Sequence, residues 1–347
     1  MVKDAAKLSK ISPLDTLGRP MRDLRISVTD ACNYRCPYCM PQTAFPKDYK
    51  FLKPAERLSY KELLVLCRLF IGLGVEKFRI TGGEPLLRPG LEKFIKQLAK
   101  LEGIQDLALT TNGQRLADSA GKLAAAGLTR ITVSMDALDP VIFSQLSGGK
   151  GDVESVLAGI DAALKAGMAP VKVNSVVIRG VNESQILPLA EYFRERQVTL
   201  RFIEYMDVGS CNGWQLDEVI PASDIRAIVA SKWPLEPLPG NYRGEVASRY
   251  AYRDGKGELG FISSVSSPFC GDCNRLRLSA DGKLFTCLFA TKGLDLRTAL
   301  RDGTTEQDLL QMVRDRWRVR SDRYSELRTE ALRDSSRRRI EMFYIGG

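Results

Sequence analysis

Between residues 23 and 232 the chain repeats one pattern: a short β-rich run, then a helical stretch. The runs are DLRISV, EKFRIT, DLALTT, RITVSM, VKVNSVV and LRFIEYM. Parallel strands need a crossover long enough to hold a helix, so this alternation points to a parallel sheet. Ser59 and Glu62 form a capping-box pattern ahead of LLVLCRLF, with Gly72 and Gly74 as stops. Asn182 and Gln185 offer the same pattern ahead of ILPLAEYFRERQ. Two architectures satisfy the alternation, an open doubly wound sheet and an incomplete (β/α) barrel.

Side-chain parity favours the barrel. In the first run Leu24, Ile26 and Val28 fall on one face, and Arg25, Ser27 and Thr29 on the other. The second sets Phe78 and Ile80 against Arg79 and Thr81, and the fourth sets Ile131, Val133 and Met135 against Thr132, Ser134 and Asp136. The fifth adds Lys172 and Asn174 to the polar row, and the sixth offers Glu204 beside Phe202 and Met206. A sheet buried by helices on both faces would not repeat a polar row, whereas a barrel with a polar, partly basic lumen would. The expected fold is α/β, an incomplete (β/α)6-type barrel over residues 1–232. After residue 233 the texture changes. WPLEPLPG reads as a proline-rich crossing, and RYAYRDGKGELGFIS and NRLRLSADGKLFTCLF read as hairpins with glycine-containing turns. Helical patterns follow near 294–302 and 305–318, so residues 233–347 are expected to form a hairpin-rich C-terminal unit.

The chain contains no histidine, which removes the commonest general base and the commonest zinc ligand together. Six of its eight cysteines fall in two groups, Cys32, Cys36 and Cys39, and Cys270, Cys273 and Cys287. No apolar run approaches the roughly 18 residues of a membrane span, and MVKDAAKLSKISP lacks the apolar core of a secretory signal. A cytoplasmic protein is therefore expected, in a reducing compartment where clustered cysteines bind metal more often than they pair. Each group is one ligand short of four. A zinc site missing a ligand is one reading; an iron–sulfur cluster with one iron left open is the other. The net charge of +9 fits a phosphorylated ligand, a nucleic acid or a basic surface.

The CxxxCxxC spacing of the first group, with Tyr38 inside it, resembles the signature of radical S-adenosylmethionine enzymes. TGGEP, Thr81 to Pro85, resembles the motif that in those enzymes holds the methionyl amino group. This resemblance implies a [4Fe–4S] cluster on Cys32, Cys36 and Cys39. It also implies S-adenosyl-L-methionine held by Tyr38, Gly83, Glu84, Ser134 and Met206. The second group, followed by NRLRL, together with LTTNG, KVN, RFIE-M and the final Gly346-Gly347, is similar to the GTP 3′,8-cyclase family of molybdenum cofactor biosynthesis. The similarity runs from about residue 15 onward and weakens between 300 and 340. It implies a second [4Fe–4S] cluster on Cys270, Cys273 and Cys287, whose open iron meets the purine. It further implies GTP contacts from Arg25, Arg79, Thr110, Lys172, Arg275, Leu276 and Arg277. Gly346 and Gly347 are expected to enter the active site and support catalysis. The implied reaction is hydrogen abstraction from the ribose 3′ carbon of GTP by a 5′-deoxyadenosyl radical, then attack on guanine carbon 8.

The partners implied are GTP, an external one-electron donor and a downstream cyclic pyranopterin monophosphate synthase. No nucleic acid and no membrane are expected, and the chain is expected to be a monomer or a homodimer. Two alternatives stand beside this reading: a radical peptide maturase with an auxiliary cluster, and a zinc-stabilised nucleic-acid-binding protein. Cys67 reads as a small core residue and Cys211 as a loop thiol.

Overall fold

The computed structural model describes residues 12–196, 198–328 and 339–346. Six strands lie in chain order: β1 (Asp23–Ser27), β2 (Lys77–Thr81), β3 (Asp106–Thr111), β4 (Arg130–Ser134), β5 (Val171–Val177) and β6 (Thr199–Glu204). Each pairs in parallel with the next. Between them run α1 (Tyr60–Gly72), α2 (Leu91–Leu98), α3 (Leu116–Ala125), α4 (Pro140–Ser147), α5 (Val153–Lys165) and α6 (Ile186–Arg194), with α7 (Ala222–Lys232) after β6. The apolar row expected from parity is buried on the outer face. Leu24, Ile26, Ile80, Leu109, Ile131 and Val133 are fully buried in one core with residues of α1 to α6. Cys67 lies in that core, as a small apolar side chain should.

Both expected hairpins form, and they extend the same sheet. The first is β8 (Ser248–Tyr252) with β9 (Glu258–Ile262), and the second is β10 (Arg275–Leu278) with β11 (Lys283–Phe285). β9 pairs in parallel with β6, and β10 pairs in parallel with β1. The parallel run is therefore longer than six strands, β10-β1-β2-β3-β4-β5-β6-β9. It is flanked by β11 and a two-residue β12 (Leu294–Asp295) at one end, and by β8 and β7 (Leu235–Leu238) at the other. The partial barrel thus borrows a strand on each side from the segment after residue 233. α8 (Leu296–Arg301), α9 (Glu306–Arg318) and a short helix at Met342–Ile345 complete the described residues.

Three local expectations need correction. WPLEPLPG is not a simple crossing, because Leu235–Leu238 forms β7; Pro237 is tolerated there because β7 is the edge of the sheet. Asn182 and Gln185 do not make a capping box. Asn182 donates to the carbonyls of Asp136 and Val176, and Gln185 accepts from the amides of Leu138 and Asp139. They fasten the loop after β4 and leave the helix end unsatisfied by side chains. Glu204 does not face the lumen. It points outward, accepting from the amides of Ala222, Val265 and Ser266. Pro221, at the N-cap of α7, gives no side-chain cap, and Glu204 supplies the acceptor in its place.

Candidate active site

The loop after β1 carries Cys32, Cys36 and Cys39 into the mouth of the barrel. Arg35 fixes its path by donating to the carbonyls of Cys32 at 2.9 Å, Tyr34 at 2.8 Å and Phe45 at 3.0 Å. The neighbouring loop after β2 explains the paired glycines. A Cβ on Gly82 would lie 2.6 Å from the carbonyl oxygen of Thr29, and one on Gly83 would lie 2.4 Å from that of Ala31. Only bare backbone fits against the cysteine loop, and the Gly83 and Glu84 amides then donate to Thr29 and Ala31. Glu84 accepts from the Leu86 and Asn112 amides and the Thr111 hydroxyl. Burial lifts its carboxyl to about 7 against those hydrogen bonds.

The lumen below is cationic. Its wall carries Arg25, Arg79, Arg201, Arg275 and Arg277, and register explains why: Asp23, Arg25 and Ser27 pair with Lys77, Arg79 and Thr81, and Arg25 also pairs with Arg277. Burial, then Arg277, Arg275 and Arg79, push the Arg25 guanidinium well below its usual range. Burial and the neighbouring arginines bring Arg277 and Arg201 each down to about 10. Burial also brings Lys172, deep in the barrel, to about 7, with Arg201 and Arg130 adding to the effect. Arg79 donates to Thr110 at 3.1 Å and Thr132 at 3.2 Å, yet the Nε atoms of both Arg25 and Arg79 are buried without a partner. Buried like charges with unused donors are the chemistry of a polyanion site, because an anion relieves both costs.

Opposite the first triad, Cys270, Cys273 and Cys287 line the same cavity. Burial raises the Cys287 thiol to about 12, but at Cys273 the cations Arg275 and Arg320 outweigh burial and bring it to about 6. At the first triad burial raises the Cys32 thiol to about 12, with Glu84 adding to it. Three thiols with one ligand position left over are a donor set that an iron–sulfur cluster can use. Tetrahedral zinc would bring sulfurs to about 3.8 Å from one another. Among the described residues, no three His, Cys, Asp or Glu side chains gather tightly enough to share one metal ion.

The C-terminal segment closes the site. Arg277 donates to the Gly346 carbonyl, and Phe343 packs edge-on against Phe45 at 4.9 Å, beside Cys32 and Cys39. Gly346 has φ +72°, and a Cβ there would fall 2.2 Å from Thr81 Cγ2. Its outer end is held by Glu341, which accepts from the Ser210 amide, and by Arg339, which donates to Asp207. Cys211, an exposed loop thiol, sits beside Glu341.

Of the residues expected here, Tyr38, Gly83, Ser134, Met206, Arg25, Arg79, Thr110, Arg275 and Arg277 line the cavity with both triads. Tyr38 donates to Asp136 at 2.6 Å. Three are set apart. Leu276 is fully buried in the outer apolar core, Glu84 is spent on backbone amides, and Lys172 lies beyond the cavity wall. Gly347 lies outside the described residues. Sequence reading missed Arg201, Tyr242 and Glu245. Arg201 pairs with Asn174 and so belongs to the polar row, a register that parity alone could have given. Tyr242, which receives the Lys77 ammonium 3.0 Å from its ring centroid, comes from an irregular segment without periodicity.

Two family descriptions match the chain: Radical SAM superfamily over residues 26–193, and Molybdenum Cofactor Synthesis C over residues 198–326. The GTP 3′,8-cyclase of Xanthomonas campestris pv. campestris (strain 8004) is 56% identical over 340 residues, covering 98% of this chain and 99% of its own. That of Acidothermus cellulolyticus is 49% identical, covering 96% of this chain and 98% of its own. The solved structure of anSMEcpe with bound AdoMet is more distant, at 17% identity and a TM-score of 0.48 over 62% of this chain and 58% of its own.

Proposed function

The chain belongs to the GTP 3′,8-cyclase family of radical S-adenosylmethionine enzymes, and we propose that the cavity lined by both cysteine triads holds GTP between them during cyclisation. The activity is the radical conversion of GTP to (8S)-3′,8-cyclo-7,8-dihydroguanosine 5′-triphosphate, the first step of molybdenum cofactor biosynthesis. The observation that carries the reading is the arginine wall with unused, buried donors lining the same cavity as two triads of thiols.

Cys32, Cys36 and Cys39 would hold the first [4Fe–4S] cluster, beside S-adenosylmethionine on Tyr38, Gly83, Ser134 and Met206. When bound, these groups supply the 5′-deoxyadenosyl radical that takes hydrogen from the ribose. Cys270, Cys273 and Cys287 would hold a second cluster at the guanine end. Arg25 and Arg79, with Arg201, neutralise the triphosphate through forked donors. Arg277 bridges substrate and tail, because its guanidinium already holds the Gly346 carbonyl. Asp136 orients the Tyr38 ring, and the tail helix with Phe343 keeps water from the first triad. An external one-electron donor completes the reaction, and a cyclic pyranopterin monophosphate synthase consumes the product.

The test is anaerobic reconstitution with iron and sulfide, followed by GTP, S-adenosylmethionine and a reductant. GTP-dependent 5′-deoxyadenosine and a cyclised nucleotide are expected; their absence with about eight irons bound would refute the substrate assignment. In Arg277→Ala, iron content should be retained while nucleotide binding falls by at least tenfold, read by equilibrium dialysis.

A further inference from the structure

Against the second triad lies a buried charged unit, Asp15, Arg19 and Arg320, of which only Arg320 reaches the cavity lining. The Asp15 side chain is 0% exposed, and those of Arg19 and Arg320 are each 1%. Asp15 Oδ2 accepts from Arg19 Nε at 2.6 Å and from Arg320 Nη1 at 3.0 Å. Other donors of the two guanidiniums converge on one target, while Arg19 Nη2 is buried without a partner. Arg19 Nη1 donates to the Cys270 carbonyl at 2.7 Å and to that of Asp322 at 2.9 Å. Arg320 donates to the Cys273 carbonyl at 2.7 Å, and its Nε donates to that of Thr286, the residue before Cys287, at 3.1 Å. Every segment that presents a thiol of this triad is thus tied to the same pair of guanidiniums.

We propose that Asp15, Arg19 and Arg320 are positioning residues for the second cluster, fixing its three ligand segments and favouring its reduced form. The inference rests on the reading that Cys270, Cys273 and Cys287 carry that cluster. Burying three charges costs more than an apolar plug of equal volume, so packing alone does not account for them. The unit carries two positive charges and one negative. Asp322, 3.4 Å from Arg320 Nε, adds a further negative charge that is felt at Cys287, but its side chain is 32% exposed and so weighs less than the two fully buried guanidiniums. A thiolate-held cluster gains negative charge on reduction, and a buried cation set favours that state. Arg275 also faces Cys273, and it lines the cavity as Arg320 does, but of the two only Arg320 is tied to the carbonyls of the ligand segments.

The test uses the full chain with Cys32, Cys36 and Cys39 all replaced by alanine, so that only the second triad can bind a cluster. About four irons per chain are expected after reconstitution. Adding Arg320→Ala should speed iron loss to a chelator at least tenfold. It should also lower the reduced-to-oxidised ratio about tenfold at fixed potential, a shift of about 59 mV in an EPR-monitored titration. Arg320→Lys keeps the charge but loses the fork, so iron should leave faster with the potential little changed; this variant carries the test if the alanine variant does not fold. Trp317→Phe removes the indole donor to the Arg19 carbonyl, seen at 3.0 Å, and serves as the packing control. It should lower thermal stability and leave both cluster readouts unchanged. Parent-like release and potential in both Arg320 variants would overturn the inference while leaving the second cluster standing. A parent that binds no iron would overturn the cluster reading, and the inference with it.

Discussion

At the scale of single residues, position in the pleat matters more than polarity. Glu204 and Arg201 lie three apart on one strand and point to opposite faces. Reading Glu204 as a lumen residue fails because its carboxylate serves backbone amides behind the sheet, a need created by loops distant in sequence. Arg25 and Arg79 were legible as lumen residues because strand parity and family motif agree on them, whereas Thr110 came from the resemblance alone. Gly346 gives a sharp test. Gly346→Ala would place a methyl against Thr81 at a positive φ, so iron content should match that of the parent chain while turnover falls by at least tenfold, as iron analysis and product formation would report. Lys172 gives a second. Burial, then Arg201 and Arg130, bring its ammonium to about 7, with Glu245 and Glu258 opposing them. Although Lys172 is not on the cavity lining, the field of a bound triphosphate should restore its proton, so GTP binding takes up a proton above that pH. Affinity contributed by this group is complete below about 7 and falls as pH rises through it, by up to about tenfold per pH unit. Calorimetry in buffers of differing ionisation enthalpy should show the uptake at pH ~8, and Lys172→Gln should abolish it.

At the scale of elements, helix ends separate what local sequence decides from what the fold decides. Ser59 and Glu62 close the capping box of α1, with Ser59 Oγ accepting at 3.2 Å and Glu62 accepting from the Ser59 amide at 2.6 Å. Arg301 of α8 then donates to Glu62 at 2.7 Å, a contact no local pattern announces. Ser59→Ala should cost about 1 kcal/mol, seen as faster hydrogen exchange confined to the first turn of α1. The Asn182–Gln185 pattern is as good on paper, yet both side chains serve the loop that carries Asp136. The strands were readable because each presents an apolar row to the helices. β7 was hidden by its proline, which an edge position makes harmless.

At the scale of the molecule, the two halves share one set of hydrogen bonds. The barrel class followed from alternation and parity, but the pairing of β10 with β1 and β9 with β6 leaves no local trace, since it joins distant segments. A chain ending at residue 232 would expose both sheet edges, and light scattering should show it aggregating; a monomeric, cooperatively folding fragment would contradict this. The same pairing sets a schedule for biosynthesis. Leu24 waits on the ribosome for Leu276, a delay on the order of tens of seconds at ordinary elongation rates. Cys32, Cys36 and Cys39 emerge at the start of that interval, long before the tail helix can cover them. The first triad is therefore open on the nascent chain through that interval, whereas Cys270, Cys273 and Cys287 emerge only near the end of synthesis.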